Sequence, residues 1–465
     1  MSRAGRWYDA PAPRLCRAVD VLMLVLLAGA LGVLAVALAR RDELLTGLEA
    51  IAFLAVAPAL LAVVLASSFA FRAPVRLHLV LALGSGLAVA WCLEALLTAG
   101  DSLDHAAAAT TQTALDVVVA ERRQGHDTFP GINAGHGLVN QSPTVRVSRL
   151  RLDGLEILPL GSVGGARQVY CLGEDGPVAY EADRYGYRNP DAMWRAAVAE
   201  VVVLGDSFAR GLCVDEDSTF VSQMRKRLGV VVNLGTNGAG PLFNLAALRE
   251  YGARVRPRVV IWTHTENDDV PFDLEYERKS ALLMRYRDPS FSQGLAARQD
   301  ALNTLLRDDV LARMKAVFGP SFAEPPTGGL ALDWLRSVAL LSRLRGYAEA
   351  RFHRLVYRPD YELLRSVLAA AQSDAMSWGG RVYFVTLPNS RSLAAGDFVT
   401  EPEIQELLDA LGIPEIDVQG AFARAGRAGL FDARNGHFSP EGHRLTAEVI
   451  IEGLASGRGE PIEAE

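Results

Sequence analysis

The sequence has no long run of basic residues, and its formal net charge is −7, so it lacks the electrostatic footprint of a nucleic-acid-binding protein. Its eight histidines are scattered without the spacing of metal ligands, and we expect neither a metal nor a cofactor. No small-residue cleavage site follows the first apolar run, which argues against a cleaved signal peptide. Half of the residues are hydrophobic and 22% are charged, which excludes a disordered chain.

Three apolar runs, residues 21–39, 50–71 and 77–97, are each long enough to cross a bilayer. For the third run, a buried helix of a soluble domain is the alternative. This run contains Glu94, which either lies at the membrane interface or contacts a partner protein. With at most one ionisable group deep in the runs, a transporter is a poor interpretation.

The basic residues near the ends of these runs predict the orientation, because cytoplasmic loops carry more of them. Two arginines, Arg40 and Arg41, lie on the side opposite to six others, namely Arg3, Arg6, Arg14, Arg17, Arg72 and Arg76. We therefore expect a cytoplasmic N-terminus (1–17), three transmembrane helices (18–99), an extracytoplasmic neck of mixed α/β structure (100–196) and a larger domain (197–460). The expected location is a bacterial-type inner membrane, with the C-terminal domain in the periplasm or outside.

Only four cysteines are present, and two of them, Cys16 and Cys92, belong to the membrane part. The other pair, Cys171 and Cys213, would lie in an oxidising compartment, which favours a disulfide between them. Two unrelated buried thiols are the alternative.

From residue 199 onward, predicted strands alternate with predicted helices. The strands are expected at 201–204, 229–234, 259–263, 380–388 and 414–418. This alternation is typical of a three-layer α/β fold, a parallel sheet covered by helices on both faces. A predicted helical insertion at about 270–358 interrupts the alternation of strands and helices. It acts either as a lid over the sheet edge or as a packing or docking surface.

Candidate functional residues follow the predicted strands, where ligands bind in open α/β sheets. Ser207 follows the first strand, in Gly-Asp-Ser-Phe, and is either a nucleophile or a helix cap. Gly238 follows the second strand in a loop whose N–H groups can face an oxyanion. Asn267 follows the third strand, and His437 precedes the last helix. The order Ser, Gly, Asn, His at one sheet edge favours nucleophilic catalysis.

These four motifs resemble those of the SGNH, or GDSL-type, hydrolase superfamily, over about residues 199–457. The resemblance implies that Ser207 is the nucleophile and His437 the general base. It also implies an oxyanion hole formed by the N–H groups of Ser207 and Gly238 and the side-chain amide of Asn267. The segment Tyr185-Gly-Tyr-Arg-Asn-Pro resembles lead-in segments of membrane-anchored members.

Two departures from the family pattern stand out. The family usually has an aspartate two or three residues before the histidine, whereas Asn435 lies two residues before His437 and Asp432 five before it. Either of them could orient the imidazole. In the third motif Thr265 replaces the usual glycine, so that Asp268 is an alternative to Asn267, one that would place a negative charge against the oxyanion.

The resemblance implies an extracytoplasmic serine esterase or O-acyltransferase, anchored in membrane lipid by its three spans. Similar anchored members act on acetyl or acyl esters of envelope or exported polysaccharide, so we expect an ester-bearing carbohydrate or a small acyl ester as substrate. The alternative is a catalytically impaired binding or scaffold protein of the cell envelope, with a partner protein of its own.

Overall fold

The computed structural model describes residues 13–39, 56–109, 113–142, 144–173, 176–265, 269–322, 343–344, 359–390, 401–426 and 429–457. The chain divides into two compact units. The first unit consists of residues 1–111, 141–144 and 328–357, and the second of residues 112–140, 145–327 and 358–465. The predicted insertion at about 270–358 is therefore divided between the two units.

The first unit contains three apolar helices, α1 (Pro13–Ala39), α2 (Ala57–Ser68) and α3 (Ala73–Ala109). By length and composition, the described residues hold two candidate membrane spans, Arg17–Val36 in α1 and Pro74–Ala95 in α3. Only 17% and 6% of the residues in these spans are buried, unlike the core helices of a soluble domain. Helix α2, in the middle apolar run, is described over 12 residues, and residues 50–55 of that run lie outside the described part of the chain. The prediction of three membrane helices is thus supported for two of them.

Polar contacts connect parts of this first unit. Asp20 of α1 pairs with Arg76 of α3, with an Oδ1–Nε distance of 2.9 Å. Glu94 of α3 is buried, and its carboxylate accepts the backbone N–H groups of Arg343 and Leu344 at 2.7 and 2.9 Å. Glu94 therefore contacts a later segment of its own chain.

The second unit is built around a parallel sheet, which in the described residues has five strands. Their order across the sheet is β12 (Glu415–Asp417), β11 (Arg381–Leu387), β10 (Val259–Thr265), β8 (Val201–Leu204) and β9 (Val231–Asn233). The described strands of the chain are β1 (Thr128–Pro130), β2 (Leu138–Ser142), β3 (Val145–Ser148), β4 (Arg151–Leu152), β5 (Leu155–Glu156), β6 (Arg167–Gly173), β7 (Gly176–Glu181), β8 (Val201–Leu204), β9 (Val231–Asn233), β10 (Val259–Thr265), β11 (Arg381–Leu387) and β12 (Glu415–Asp417). A smaller sheet has the order β1-β6-β7. The predicted parallel sheet is confirmed.

Helices cover both faces of the main sheet, because its strands are apolar on both sides. In β8, Val202 and Leu204 join one buried cluster, while Val201 and Val203 join the other. The first cluster also contains Val118 from the predicted neck, so the neck and the sheet share one core. The described helices of this unit are α4 (Ala114–Arg123), α5 (Ser207–Arg210), α6 (Phe220–Leu228), α7 (Pro241–Glu250), α8 (Glu275–Glu277), α9 (Ala281–Met284), α10 (Gln299–Phe318), α11 (Tyr361–Ser377), α12 (Pro402–Leu411), α13 (Val418–Ala425) and α14 (Pro440–Ser456).

The strand order locates the binding edge of the sheet. Along the chain, β8 is the first strand of the sheet, and its neighbours are the second strand, β9, and the third, β10. The chain leaves β8 toward β9 on one side and leaves β10 toward β11 on the other, which makes the gap between β8 and β10 a topological switch point. Ligands of open α/β sheets bind outside the carboxyl ends of the strands at such a point. The residues that follow β8 and β10 therefore form the candidate site.

Candidate active site

Ser207 begins α5 directly after β8, on a turn that requires glycine at position 205. Gly205 has φ +154°, and a Cβ there would lie 1.8 Å from Thr263 Oγ1 on the neighbouring strand. The helix cap is Asp206, whose Oδ1 accepts the N–H of Phe208 at 2.8 Å. Ser207 is therefore the first helical residue rather than the cap, and its hydroxyl is available for other contacts.

The hydroxyl of Ser207 contacts the imidazole of His437, with an Oγ–Nε2 distance of 2.7 Å. The residues are 230 positions apart in sequence, and the fold brings them together at the carboxyl end of β8. The imidazole also packs against the ring of Phe208, with centroids 4.7 Å apart. Ser207 and His437 thus form a nucleophile–base pair in geometry.

The far side of the imidazole faces the main chain. His437 Nδ1 lies 3.1 Å from the carbonyl oxygen of Asn435. A carbonyl can only accept, so the Nδ1 atom carries the proton and the Nε2 atom presents a lone pair to Ser207. The side chain of Asn435 holds the same loop, because its Oδ1 accepts the backbone N–H of His437 at 2.9 Å. This arrangement selects the tautomer that a general base needs.

Asp432 contacts the same loop through the side chains of Asn435 and Arg434. Its carboxylate accepts the side-chain amide of Asn435 at 3.1 Å and the Nη2 of Arg434 at 2.7 Å. The hydrogen bonds from Arg434 hold the pKa of Asp432 below its usual range. Of the two candidate orienting residues, Asn435 contacts the imidazole through its carbonyl, and Asp432 holds Asn435.

The loop after β9 contains Gly238, one of the predicted oxyanion donors. The loop is fixed to the turn at residues 205–207, the nucleophile turn, which carries Ser207. The N–H of Thr236 donates to the carbonyl of Gly205 in that turn at 3.0 Å. Gly238 is exposed with φ +65°, and a Cβ there would meet no atom within 4 Å. The space in front of Gly238 is therefore open.

Asn267 and its alternative Asp268 lie outside the described residues, but both ends of their segment are fixed. Thr265 Oγ1 donates to Asp206 Oδ2 at 2.9 Å, which joins the end of β10 to the nucleophile turn. The carboxylate of Asp269 accepts the N–H of Thr265 at 3.0 Å and contacts His264 Nδ1 at 3.1 Å. The two residues that flank this segment, Thr265 and Asp269, are thus held by hydrogen bonds, and Thr265 contacts the neighbour of Ser207.

Two further histidines of this unit, His264 and His443, are buried in the structure. His443 Nδ1 accepts the N–H of Phe220 at 3.2 Å, and burial lowers the pKa of His443 to about 3. In the described residues there is no group of three or more histidine, cysteine, aspartate or glutamate side chains arranged to hold a metal ion.

The structure joins Cys171 of β6 and Cys213 in a disulfide, with Cα atoms 5.6 Å apart. Cys213 lies six positions after Ser207, so the bond connects β6 to the segment that follows α5. The exposed Cys92 is a free thiol.

Two features of the site were not found from the sequence. The carbonyl of Asn435 carries no residue-specific signal, because every residue has one. Thr265 was noted only as a departure from a glycine, although a hydroxyl at a strand end is the signal for a contact with a neighbouring turn.

The chain matches no protein family and no curated protein. Among solved structures it is similar to a putative lipolytic protein of the G-D-S-L family from Desulfitobacterium hafniense, with 14% identity over 55% of this chain and 98% of the other, and a TM-score of 0.30. A member of the lipolytic protein G-D-S-L family from Veillonella parvula is 13% identical over 55% and 97% of the two chains, with a TM-score of 0.30. A catalytic mutant of Axe2, an acetylxylan esterase from Geobacillus stearothermophilus, is 12% identical over 56% and 95%, with a TM-score of 0.29. The G-D-S-L family is the one that the motifs of this chain resemble.

Proposed function

We propose that this protein is a membrane-anchored serine esterase or O-acyltransferase whose nucleophile is Ser207. The observation that supports the proposal most directly is the 2.7 Å contact between Ser207 Oγ and His437 Nε2. A serine hydroxyl is a weak nucleophile and needs an adjacent base, and an imidazole that presents its Nε2 lone pair to the hydroxyl is such a base.

The reaction follows from this pair. As Ser207 Oγ bonds to the acyl carbon of the ester, His437 Nε2 takes the hydroxyl proton. The tetrahedral intermediate then expels the alcohol, which receives that proton from His437, and the acyl group remains on Ser207. Water or a sugar hydroxyl next gives its proton to His437 and attacks the acyl carbon. The bond from that carbon to Ser207 Oγ then breaks and His437 returns the proton to Ser207 Oγ, which releases a carboxylic acid or a new ester and restores both residues.

The oxyanion of each intermediate needs fixed donors, each worth about 3 kcal/mol. We assign this role to the N–H groups of Ser207 and Gly238 and to the side-chain amide of Asn267. Ser207 is the first residue of α5, where the backbone N–H groups have no partner within the helix. The open space at Gly238 leaves room for the acyl group.

We place the site outside the cytoplasm, with the run at 50–71 as a span in addition to the two in α1 and α3. An odd number of spans puts the second unit opposite the cytoplasmic N-terminus. The disulfide between Cys171 and Cys213 supports this side, because disulfides persist in oxidising compartments. The substrate class, acetyl or acyl esters of envelope or exported polysaccharide, rests on the resemblance of the motifs.

The proposal is tested with the full chain purified in detergent and a series of p-nitrophenyl esters that begins with the acetate. We expect an ester-dependent burst and an acyl group on Ser207 by mass spectrometry, both lost in Ser207→Ala and His437→Ala. Ser377→Ala, at an exposed serine, is the matched control and keeps the wild-type rate.

Two further outcomes are informative. Adding a carbohydrate acceptor separates the reactions, because a transferase forms a sugar ester whereas a hydrolase releases only acid. A rate that is unchanged in Ser207→Ala, without an acyl-enzyme, contradicts the proposal and favours a binding or scaffold protein on the same fold.

A further inference from the structure

Helix α5, which carries Ser207, is a single turn and cannot satisfy its own last carbonyl groups. Three consecutive carbonyls at its end accept hydrogen bonds from side chains that lie elsewhere in the chain. Asn233 Nδ2 donates to the carbonyl of Ala209 at 2.8 Å. Arg188 Nη1 donates to the carbonyls of Arg210 and Gly211 at 3.4 and 2.7 Å. The nucleophile turn is therefore held from behind by Asn233 and Arg188.

Arg188 is fixed in one position by its other contacts. It is 1% exposed, its Nε donates to Glu216 at 2.7 Å, and its Nη2 donates to the carbonyl of Val214 at 2.8 Å. Glu216 also accepts from Arg225 at 2.9 Å. A buried guanidinium is tolerated only when it is paired and hydrogen-bonded, and all three of its nitrogens are used here. This geometry depends on the planar fork of arginine, which lysine lacks.

Asn189, the next residue, holds Asn233. Asn189 Nδ2 donates to the carbonyl of Asn233, and Asn189 Oδ1 accepts the N–H of Asn233, at 2.8 and 2.7 Å. Asn233 in turn accepts the N–H of Gly235 at 2.8 Å, in the loop that leads to Gly238. One contact chain therefore connects Asn189 to both the nucleophile turn and the oxyanion loop.

The segment that presents Arg188 and Asn189 is folded around a buried carboxylate. Asp183 Oδ1 accepts the N–H groups of Tyr185 and Tyr187, each at 2.9 Å. Its Oδ2 accepts Asn189 Nδ2 at 2.8 Å and Trp194 Nε1 at 2.7 Å. Segment 183–189 is thus a rigid support, not merely a turn between domains.

We propose that Arg188 is a positioning residue for Ser207, acting with Asn233 through the carbonyls of α5 to keep the Ser207 hydroxyl in line with His437 Nε2. The inference rests on the proposed function of Ser207. It adds that a residue with no contact to the substrate sets the rate of acylation. A displacement of about 1 Å at a reacting group costs about 100-fold in rate.

The test compares Arg188→Lys with Arg184→Lys, a matched control in the same segment whose arginine is exposed and pairs with Asp191. For Arg188→Lys we expect kcat to fall about 10- to 100-fold with KM within about twofold, and acylation of Ser207 by a fluorophosphonate to slow by the same factor. Arg184→Lys should match the wild type. If Arg188→Lys does not fold, Glu216→Gln, which weakens the hold on Arg188, is expected to lower kcat about fivefold or more.

A second readout is independent of esterase activity. In Ser207→Cys, the pH dependence of alkylation of the introduced thiol reports its contact with His437, because a neighbouring imidazole lowers a thiol pKa. Adding Arg188→Lys should raise that thiol pKa toward 8.5, whereas Arg184→Lys should leave it unchanged.

The inference is overturned if Arg188→Lys keeps kcat within about twofold and leaves the alkylation profile unchanged. If instead no ester is cleaved by the wild type but the thiol pKa is low and depends on Arg188, the proposed function fails while the positioning role stands. A thiol pKa near 8.5 in Ser207→Cys that adding Arg188→Lys does not change also overturns the inference.

Discussion

His437 Nδ1 lies 3.1 Å from the main-chain carbonyl oxygen of Asn435, and this contact places the imidazole proton on Nδ1. In a serine protease the corresponding contact is made by an aspartate, and replacing that aspartate with asparagine costs about 10⁴ in kcat. Because a carbonyl only accepts, the main chain performs the same selection here. Among the described residues, Asp432 brings a negative charge to this loop through Asn435, over a longer distance than a direct contact with the imidazole.

This difference predicts a small effect at Asp432. In Asp432→Asn the carbonyl of Asn435 still faces Nδ1, so we expect kcat for p-nitrophenyl acetate to fall by about tenfold or less, against about 10⁴ for a direct triad aspartate. His437→Ala should abolish turnover. A loss of more than about 10³ in Asp432→Asn would show that the carboxylate contacts the imidazole during the reaction.

The disulfide between Cys171 and Cys213 closes a loop of 42 residues, which gives a stabilisation of about 3–4 kcal/mol in the chain-entropy account. We expect Cys213→Ser, or reduction with dithiothreitol, to lower the midpoint of thermal unfolding by several degrees. Cys92→Ser, at the exposed free cysteine, is the control and should change nothing. Alkylation without reduction, followed by mass spectrometry, counts the free thiols directly, and labelling of Cys171 would rule out the bond.

Much of the second unit could be predicted from the sequence, because the period of its apolar residues determines its elements. Strand β8 spans the predicted residues 201–204, and β9 and β10 overlap the predicted 229–234 and 259–263. Buried parallel strands are continuous apolar runs bounded by turn residues, and such runs are visible without tertiary information. The motifs at the strand ends then follow from the topology of a parallel sheet.

The residues that hold the Ser207 turn in place could not be predicted in the same way. Arg188 and Asn233 act on carbonyl groups, and a carbonyl partner leaves no trace in the residue types. The boundary expected near residue 196 reflects a change of pattern, from short strands to alternating strands and helices. The structure nevertheless packs Val118 and Val202 into one core, because packing depends on contacts and not on pattern.

The decrease in the free energy of unfolding at acid pH should depend on Asp309. Its carboxylate binds Arg149 and, at 2.8 Å, His136 Nε2, and the hydrogen bond from Arg149 lowers the pKa of Asp309 to about 2. The native carboxylate binds a proton less tightly than the unfolded one, so this stabilisation is present above about pH 4 and is lost as the pH falls toward 2.

We therefore expect Asp309→Asn to lower the free energy of unfolding by about 1–2 kcal/mol at pH 7, and the difference from wild type to shrink as the pH approaches 2. Urea unfolding in detergent, followed by tryptophan fluorescence, measures both values. Asp308→Asn, at the exposed neighbouring aspartate, is the control. A difference that stays constant down to pH 2 would contradict the role of the charged form.

The close approach of β8 and β10 predicts that Gly205 tolerates no side chain. Thr263 Oγ1, 1.8 Å from a Cβ at Gly205, is itself held by donation to the carbonyl of Leu204 at 2.8 Å. We expect Gly205→Ala to yield little folded protein. Gly229→Ala is the comparison variant, with φ +81° and no atom within 4 Å of a Cβ, so it should cost about 1–3 kcal/mol of conformational strain without a clash. Equal yields of the two variants would contradict this packing argument.

The number of spans decides on which side of the membrane the second unit lies. With only the two spans in α1 and α3, the chain would return to the side of its N-terminus, and a disulfide would not persist in a reducing cytoplasm. We expect three spans, so alkaline phosphatase fused after residue 45 or after residue 465 should be active, and a fusion after residue 73 inactive. Green fluorescent protein at the same positions should give the reverse pattern. An inactive phosphatase at the C-terminus would place the Ser207–His437 pair in the cytoplasm, and an exported polysaccharide could then be its substrate only before export.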